Sequence, residues 1–591
     1  MLNRFCIACI LLSLTACMNT TAPQVKSESA NRQLNQIIEQ AWAITLEESP
    51  SLSYALGNNQ AGNQLPDLAP LTLKKAADKK RDLLSRLKRL PLAPLSTQER
   101  MNAELLQYQL QNQIDKYDFH RHYVPLSAES GFHAEISRIA KSKFHNQQDY
   151  QNYLDKLAAL PTYFAQQTYW LKQGLKHHIT PPQVVLDGFD ASIEAFITPA
   201  EQSIYFTPFH NMPTHITNAK QLKQQAINII QNDVVPLYQD FLLFMRDQYI
   251  PNASRSIAAS DLPKGKQFYA NRVAHYTTLA MTADEVHQLG LKEVARIKKE
   301  MNSIIEQFAF KGSFADFLHD LRTDPKFYPK TELELLKEAS FIAKKADAML
   351  PKYFSRLPRM PYGIAPVPAE IAPKYTTGRY SGSNRDDQAG YYWVNTYALD
   401  KRPLYELEAL TLHEAVPGHH LQIALNKELE GLPNFRRYSY ISAFGEGWGL
   451  YSEYLGLEAG FYKDPYSNFG RLTYEMWRAA RLVVDTGMHA KGWSRQQAID
   501  YMAGNTALSL HNVTTEIDRY IAWPGQALSY KIGELTIKRL RQDAETRLGD
   551  QFDIRKFHDA LLGNGSVTLS ILEQQIERFI QSQLKSPQDG A

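Results

Sequence analysis

The chain has 591 residues, 44% of them apolar and 21% charged, with a mean hydropathy of -0.40; this excludes a disordered chain and a polytopic membrane protein. Its 65 Lys and Arg against 62 Asp and Glu leave a formal charge of +3, so no overall field draws it to nucleic acid, and none is expected as a partner. At ~100 to 200 residues per domain it has room for several units or one large helical body.

From the N-terminus, Arg4 precedes an apolar run, Phe5 to Leu14, that is too short to span a bilayer and suits a secretory signal. Leu14-Thr15-Ala16-Cys17 resembles the lipobox of bacterial lipoproteins, which implies a signal peptide at 1–16 and a lipid on Cys17. An ordinary signal with an incidental cysteine is the alternative. Met18, where a retention Asp would otherwise stand, implies an envelope location on the outer membrane facing the periplasm if the source is Gram-negative. All three cysteines, 6, 9 and 17, fall here, so the body has no thiol for catalysis, zinc or disulfides. No later apolar run approaches ~18 to 20 residues, so the lipid is the expected membrane contact.

Residues 17–32 are small and polar and are expected to be a lipidated terminus and linker. Helical periodicity dominates 33–350, with capping boxes expected at Ser96/Glu99, Thr282/Glu285, Thr331/Glu334 and Ser494/Gln497. Between Pro351 and Pro373 six prolines in 23 residues stop any helix. The run Gly390 to Tyr397 reads as a strand, within a small antiparallel sheet placed at 374–398. Helices resume near Pro403, and Leu569, Leu572, Ile576, Phe579 and Ile580 form the stripe of the last one. There is no repeat of 20 to 50 residues. The expected fold is mainly α: two helical lobes, 33–350 and a catalytic region at 351–591, with the sheet beside the helix that carries the main motif.

That motif is His413-Glu414-Ala415-Val416-Pro417-Gly418-His419-His420, which holds three of the 17 histidines. In His-Glu-x-x-His the two imidazoles lie one turn apart and share a Zn²⁺, with the glutamate facing the attacking water. Here i+4 is Pro417. On an unbroken helix His419 would point ~120° away from His413, and His420 would lie ~10 Å along the axis. Pro417 and Gly418 suit a two-residue bulge that restores His419 to the second ligand position; His420 is the competing ligand or a neighbour that orients one.

His413 to Gln422, Glu446-Gly447-Trp448-Gly449-Leu450-Tyr451-Ser452-Glu453 and Trp523 to Lys531 together resemble the domain-of-unknown-function 885 family, which is grouped with zincin metallopeptidases. The resemblance implies a zincin-like, gluzincin-type fold and site, in which a carboxylate from a second helix completes the metal. Glu446 is the expected ligand; Glu453, seven residues on, competes for that place or orients a ligand histidine. Peptidases of this broad kind often use a tyrosine on the oxyanion and a Lys or Arg on a substrate carboxylate; Tyr530, with Arg519 and Lys531, is placed for those jobs. A packed tyrosine is the plain alternative in a chain with 32 of them.

Independently of any family, Arg478, Arg481, Asp485 and His489 fall on one stripe of a helix that is otherwise apolar all round. Such charges, once buried, need partners. A solvated face is the plain alternative; the expectation is a cleft wall or a shell behind the site, with Arg478 and Arg481 as substrate-binding candidates and with Asp485 and His489 close enough, one turn apart, to pair.

The expected activity is hydrolysis of amide bonds, as a peptidase acting on short peptides in the envelope. It would use one Zn²⁺ per chain on His413, His419 and Glu446 with Glu414 as general base, and the 390–397 strand pairing with extended substrate. Two alternatives are a small-molecule amide or ester hydrolase using the same metal, and a silent binding lipoprotein whose zinc geometry Pro417 has destroyed. Oligomeric state is not legible.

Overall fold

The computed structural model describes residues 21–585 apart from 129, 370 and 384–387. The expected signal peptide and Cys17 lie outside the described residues. The chain is mainly helical with one small sheet. Reciprocal capping boxes form at Ser96/Glu99, Thr282/Glu285 and Ser494/Gln497. At Thr331 only half of the box forms, because the Glu334 carboxylate accepts from Lys330 N–H instead. Two further boxes, Asn146/Asp149 and Ser313/Asp316, use Asp in place of the longer acid.

The expected linker is shorter than 17–32. Helix α1 (Thr21–Glu48) begins within it, and Ala30 is already buried. The expected division at 350 is also not where the cores divide. One hydrophobic core joins Leu34, Leu106, Ile297 and Leu350 to Trp448, Leu482 and Ile537, so the early helices and the motif helices share one interior. A second core is drawn from Leu126 to Ala253, where Phe132, Phe164 and Phe241 meet edge to face. The second core is thus an excursion from the first.

The main core is centred on α7 (Pro465–Ala490), in which every residue from Phe469 to His489 is buried. α3 (Ala283–Gln307) lies along it. A methyl at Gly290 would come within 2.8 Å of Leu482 and Val483, so only glycine permits this approach. α2 (Thr97–Asp118), α6 (Ser442–Glu458), α8 (Leu510–Ala522) and α9 (Ser529–Leu548) complete the elements that shape the site.

The sheet is mixed rather than antiparallel, and it runs from 362 to 394. β1 (Tyr362–Pro366) pairs parallel with β3 (Gly390–Val394), and β2 (Gly378–Ser381) pairs antiparallel with the other side of β3. β1 falls inside the proline-rich stretch. Pro361 precedes it and Pro366 ends it, and an edge strand tolerates proline there because it can spare the missing N–H. β3 is therefore the central strand with both edges taken, so it cannot add an extended substrate as expected. β2 is the strand at the edge near the motif.

Candidate metal centre

α4 (Leu407–Glu414) and α5 (His419–Glu428) carry the histidine motif. The expected two-residue bulge within one helix is instead a break between two helices. Ala415 (ψ -114°) and Gly418 (ψ -131°) leave helical geometry, and Val416–Pro417 is a cis peptide. A side chain at Gly418 would collide with the His413 carbonyl. Trp448 of α6 pins the break by donating its indole N–H to the Pro417 carbonyl at 2.8 Å.

The break brings His413 and His419 together from separate helices, their ring centroids 4.8 Å apart and nearly perpendicular. Glu446 of α6 closes the triangle: its Oε2 is 3.6 Å from His413 Nε2 and 3.3 Å from His419 Nε2. One ligand atom from each of the three lies within 4.8 Å of the others. α6 reaches this close because position 449 is glycine; a Cβ there would strike the His413 ring at 2.6 Å.

Glu453 is not one of the three. Its Oε1 accepts from His413 Nδ1 at 2.7 Å, which fixes the tautomer and leaves Nε2 facing Glu446. The same oxygen lies 3.5 Å from Arg478 Nη2. His419 Nδ1 has no hydrogen-bond partner, so the two histidines are held unequally. His420 turns away from the cluster: its Nδ1 meets the Tyr380 hydroxyl at 2.9 Å, its ring packs on Tyr362, and burial pushes it down to about 4. Glu414 is buried beside the cluster and accepts the backbone N–H of Tyr380 in β2 at 2.7 Å.

Burial alone would strip His413 of its proton, but Glu446 and Glu453 outweigh it and raise the imidazole to about 9. Glu446, which burial alone would raise, is driven well below the carboxylate range by His419 and His413.

A cleft of about 630 Å³ opens on the cluster and is lined by His413, Glu414, His419 and Glu446, by Arg478, Arg481, Arg519 and Tyr530, and by Trp42 of α1 and Lys116 of α2. Trp42 stacks on Tyr438 at 5.6 Å, so the first helix forms part of the cleft wall.

Three residues differ from expectation. Lys531 is fully buried outside the cleft wall, bonded to Glu475 at 2.8 Å, Glu534 at 2.6 Å and Glu293 at 3.3 Å, so no substrate can reach it. Asp485 and His489 are buried as expected but make no hydrogen bond to each other. Asp485 accepts from Tyr269 and from Gly525 N–H, whereas His489 accepts from Ala259 N–H and donates to the Tyr520 carbonyl. Packing of the loops around 259 and 525 onto α7 reaches each of them first. Both brace that packing, away from the cleft.

Tyr440, whose hydroxyl donates to Glu446 Oε1 at 3.0 Å, and Glu516, which accepts from Arg481 and Arg519, have no spacing in the sequence that marks them. Tyr380 lies in a Gly- and Ser-rich stretch that reads as a loop.

The profile of the family described as "Bacterial protein of unknown function (DUF885)" matches residues 50–576. No curated protein matches the chain. Among solved structures, "the putative lipoprotein from Colwellia psychrerythraea" is 28% identical with a TM-score of 0.86, over 94% of this chain and 99% of that one. "A putative lipoprotein of unknown function from Shewanella oneidensis" is 16% identical with a TM-score of 0.71, over 92% and 99%, and shares the fold.

Proposed function

The chain belongs to the DUF885 family, and from that premise we propose that it is a zinc-dependent, zincin-like hydrolase of amide bonds, acting on short peptides in the bacterial envelope. The observation that carries this reading is the buried His413, His419 and Glu446 cluster opening on a cleft beside Glu414. The donor set fits the ion. A tetrahedral Zn²⁺ with ligands at ~2.0 to 2.1 Å has donors ~3.3 to 3.4 Å apart, close to the 3.3 and 3.6 Å from Glu446 to the two imidazoles. Two nitrogens and one carboxylate also leave a fourth position open.

When bound, the ion supplies Lewis acidity toward a carbonyl oxygen and lowers the pKa of water to ~7. The chain's own residues do the rest. Glu414, fixed by the Tyr380 N–H, takes the proton of the water whose oxygen adds to the scissile carbonyl carbon. It then returns that proton to the nitrogen as the C–N bond breaks, so one water is consumed and a carboxylic acid and an amine leave. Glu453 keeps His413 oriented. Among the phenols lining the cleft, Tyr440 stands at the cluster with its hydroxyl on Glu446 Oε1, while the ring of Tyr530 stacks on Arg481; by turning its O–H from Glu446 to the developing oxyanion, Tyr440 would take the role expected of Tyr530.

The test uses protein purified without a metal-affinity tag. One zinc per chain is expected by elemental analysis after reconstitution; His419→Ala abolishes uptake and His420→Ala retains it. Glu414→Gln keeps the metal and loses at least ~100-fold in peptide hydrolysis. Protein that takes up no zinc, or a Glu414→Gln variant as active as wild type, sinks the reading. Since its solved relatives are described as lipoproteins and Leu14 to Cys17 resembles a lipobox, the protein is also proposed to be exported and anchored by a lipid on Cys17. Cys17→Ser is then expected to move it to the soluble envelope fraction, and an unchanged membrane fraction refutes the anchor.

A further inference from the structure

Away from the metal cluster, the cleft is walled by α2 and by the helix Gly265–Thr277, and three cations gathered there pair with no carboxylate. Arg272 is only 5% exposed, and neutral groups hold its guanidinium: Nη1 and Nη2 donate to Asn112 Oδ1 at 3.2 Å and Nε to Asn271 Oδ1 at 3.1 Å. Arg121 lies over the same Phe268 ring as Arg272, at 5.1 and 5.9 Å, and its side chain makes no hydrogen bond or ion pair among the described residues. Lys116 lines the cleft and makes none either. The carboxylates nearby are engaged with other groups: Asp115 accepts from the amides of Gln111 and Asn271 at 2.8 Å each, Asp118 pairs with Arg81, and Glu48 pairs with Lys80.

The three cations act on one another and on the wall. Crowding by the protein and then the charges of Arg272, Arg121 and Lys80 lower the Lys116 ammonium, and burial followed by Arg272 lowers Arg121 to about 10. His275 of the same wall stacks on Tyr108 and is kept neutral, pushed down to about 3 by burial, Arg272 and Lys116. The wall also turns a donor outward. Because Arg272 occupies Asn112 Oδ1, the amide nitrogen of Asn112, which makes no hydrogen bond, is the group left for the cleft. Asn112 and Lys116 stand one turn apart on α2, so an amide donor and an ammonium share one patch. The carboxylates that line the cleft lie at other points, Glu414 and Glu446 at the cluster and Glu516 on Arg481 and Arg519. A wall with donors, positive potential and no acidic group of its own suits a carboxylate.

We propose that Lys116 and Asn112 form a subsite for a carboxylate of the substrate, set apart from the metal cluster, so that the cleft selects peptides that carry an acidic group several residues from the bond being cleaved. This rests on the hydrolase reading for the cleavage, not for the binding. The placement follows from α2. Its Gln109 donates to Ser439 Oγ at 2.9 Å, next to the Tyr440 that holds Glu446. Lys116 lies seven residues, ~10 Å, further along the helix, the span of about three residues of extended peptide at ~3.3 Å each. Arg121 and Arg272 stand behind the wall and raise its potential without touching the ligand. The carboxylate can come from an acidic side chain or from the peptide's C-terminus.

The experiment is calorimetric titration of metal-free wild-type protein with four probes. Acetyl-Ala-Ala-Phe-Ala-Ala-Gln amide is the neutral reference; the others are the same peptide with Glu in place of Gln, with Glu in place of the first Ala, and with a free C-terminal acid. At least one charged probe is expected to bind ~10-fold more tightly than the reference, and which one does so identifies the source of the carboxylate and the side of the bond on which the wall lies. Lys116→Met is expected to erase the difference and Lys116→Arg to keep it, while Lys75→Met, at an exposed lysine outside the cleft wall, leaves it intact. Equal binding of all four, no binding of any, a preference that survives Lys116→Met, or one that Lys75→Met also removes overturns the subsite. The wild-type comparison stands without the variants. Turnover of the same peptides by zinc-loaded protein is read separately: preferential binding without cleavage would leave the subsite standing and count against the hydrolase.

Discussion

Two buried ionic clusters grow from the same helix, and they differ in one respect. On one side of α7, Glu475 meets Lys531, Arg296 and Arg471, and Lys531 also reaches Glu293 and Glu534, so that α3, α7 and α9 are tied by charges that each find a partner. On the other side, Glu516 accepts from both Arg481 and Arg519, and Arg481 Nη1 has no hydrogen-bond partner. The first cluster is closed and excludes the cleft; the second lines it. Composition does not distinguish them, since both are Arg or Lys against Glu. What distinguishes them is position: the first is sealed between helices, and the second faces the cleft.

The comparison can be broken most decisively at Lys531. Lys531→Met removes the cation shared by three buried carboxylates, and removing one partner of a buried pair costs about 3 to 5 kcal/mol. Chemical denaturation should show that loss, with zinc per folded chain unchanged. A variant of normal stability but weaker substrate binding would place Lys531 in the cleft set after all.

Glu516 gives the next effect, read in acid. Burial alone would raise its carboxyl, but Arg519 and Arg481 outweigh that and hold it at about 2, below its usual 4.5. A carboxyl depressed in the folded state stabilises fully above its unfolded pKa. That contribution fades as pH falls from about 4.5 toward 2, and amounts to roughly 3 kcal/mol at 1.36 kcal/mol per unit. Stability measured against pH should lose that part of its acid limb in Glu516→Gln. If the acid limb is unchanged, the pair of arginines is not holding this charge.

The smallest effect separates the two tyrosines. Tyr440→Phe is expected to lower kcat ~10-fold, about 1.4 kcal/mol, with zinc retained. Tyr530→Phe should change kcat by less than ~3-fold, because its ring, not its hydroxyl, contacts Arg481. The reverse order would return the oxyanion role to Tyr530.

What could be read beforehand was what is local. The histidines, Glu414 and Glu446 announce themselves by spacing within two motifs, and the apolar surround of Arg478 and Arg481 already signalled burial. What could not be read depends on which face meets which partner. Lys531 sits next to Tyr530 in one motif, yet one residue along a helix is ~100° of rotation, enough to send one into the cleft wall and the other into the core. The separate core at 126–253 has no compositional edge, and β1 hid because its flanking prolines read as breakers. The helix break at 415–418 was expected as a bulge because sequence marks that regularity fails at Pro417 and Gly418, not how far it fails.

α1 has a mechanical consequence. It starts at Thr21, four positions after Cys17, and at Trp42 it already forms cleft wall. At 1.5 Å per residue those 21 steps make a rod of roughly 30 Å. With a lipid on Cys17, the attachment would lie beyond one end of this helix and the cleft beside the other, the helix being packed into the body from Ala30 onward. The proposed site would then open at about that distance along the helix from the anchored end, toward peptides dissolved above the headgroups.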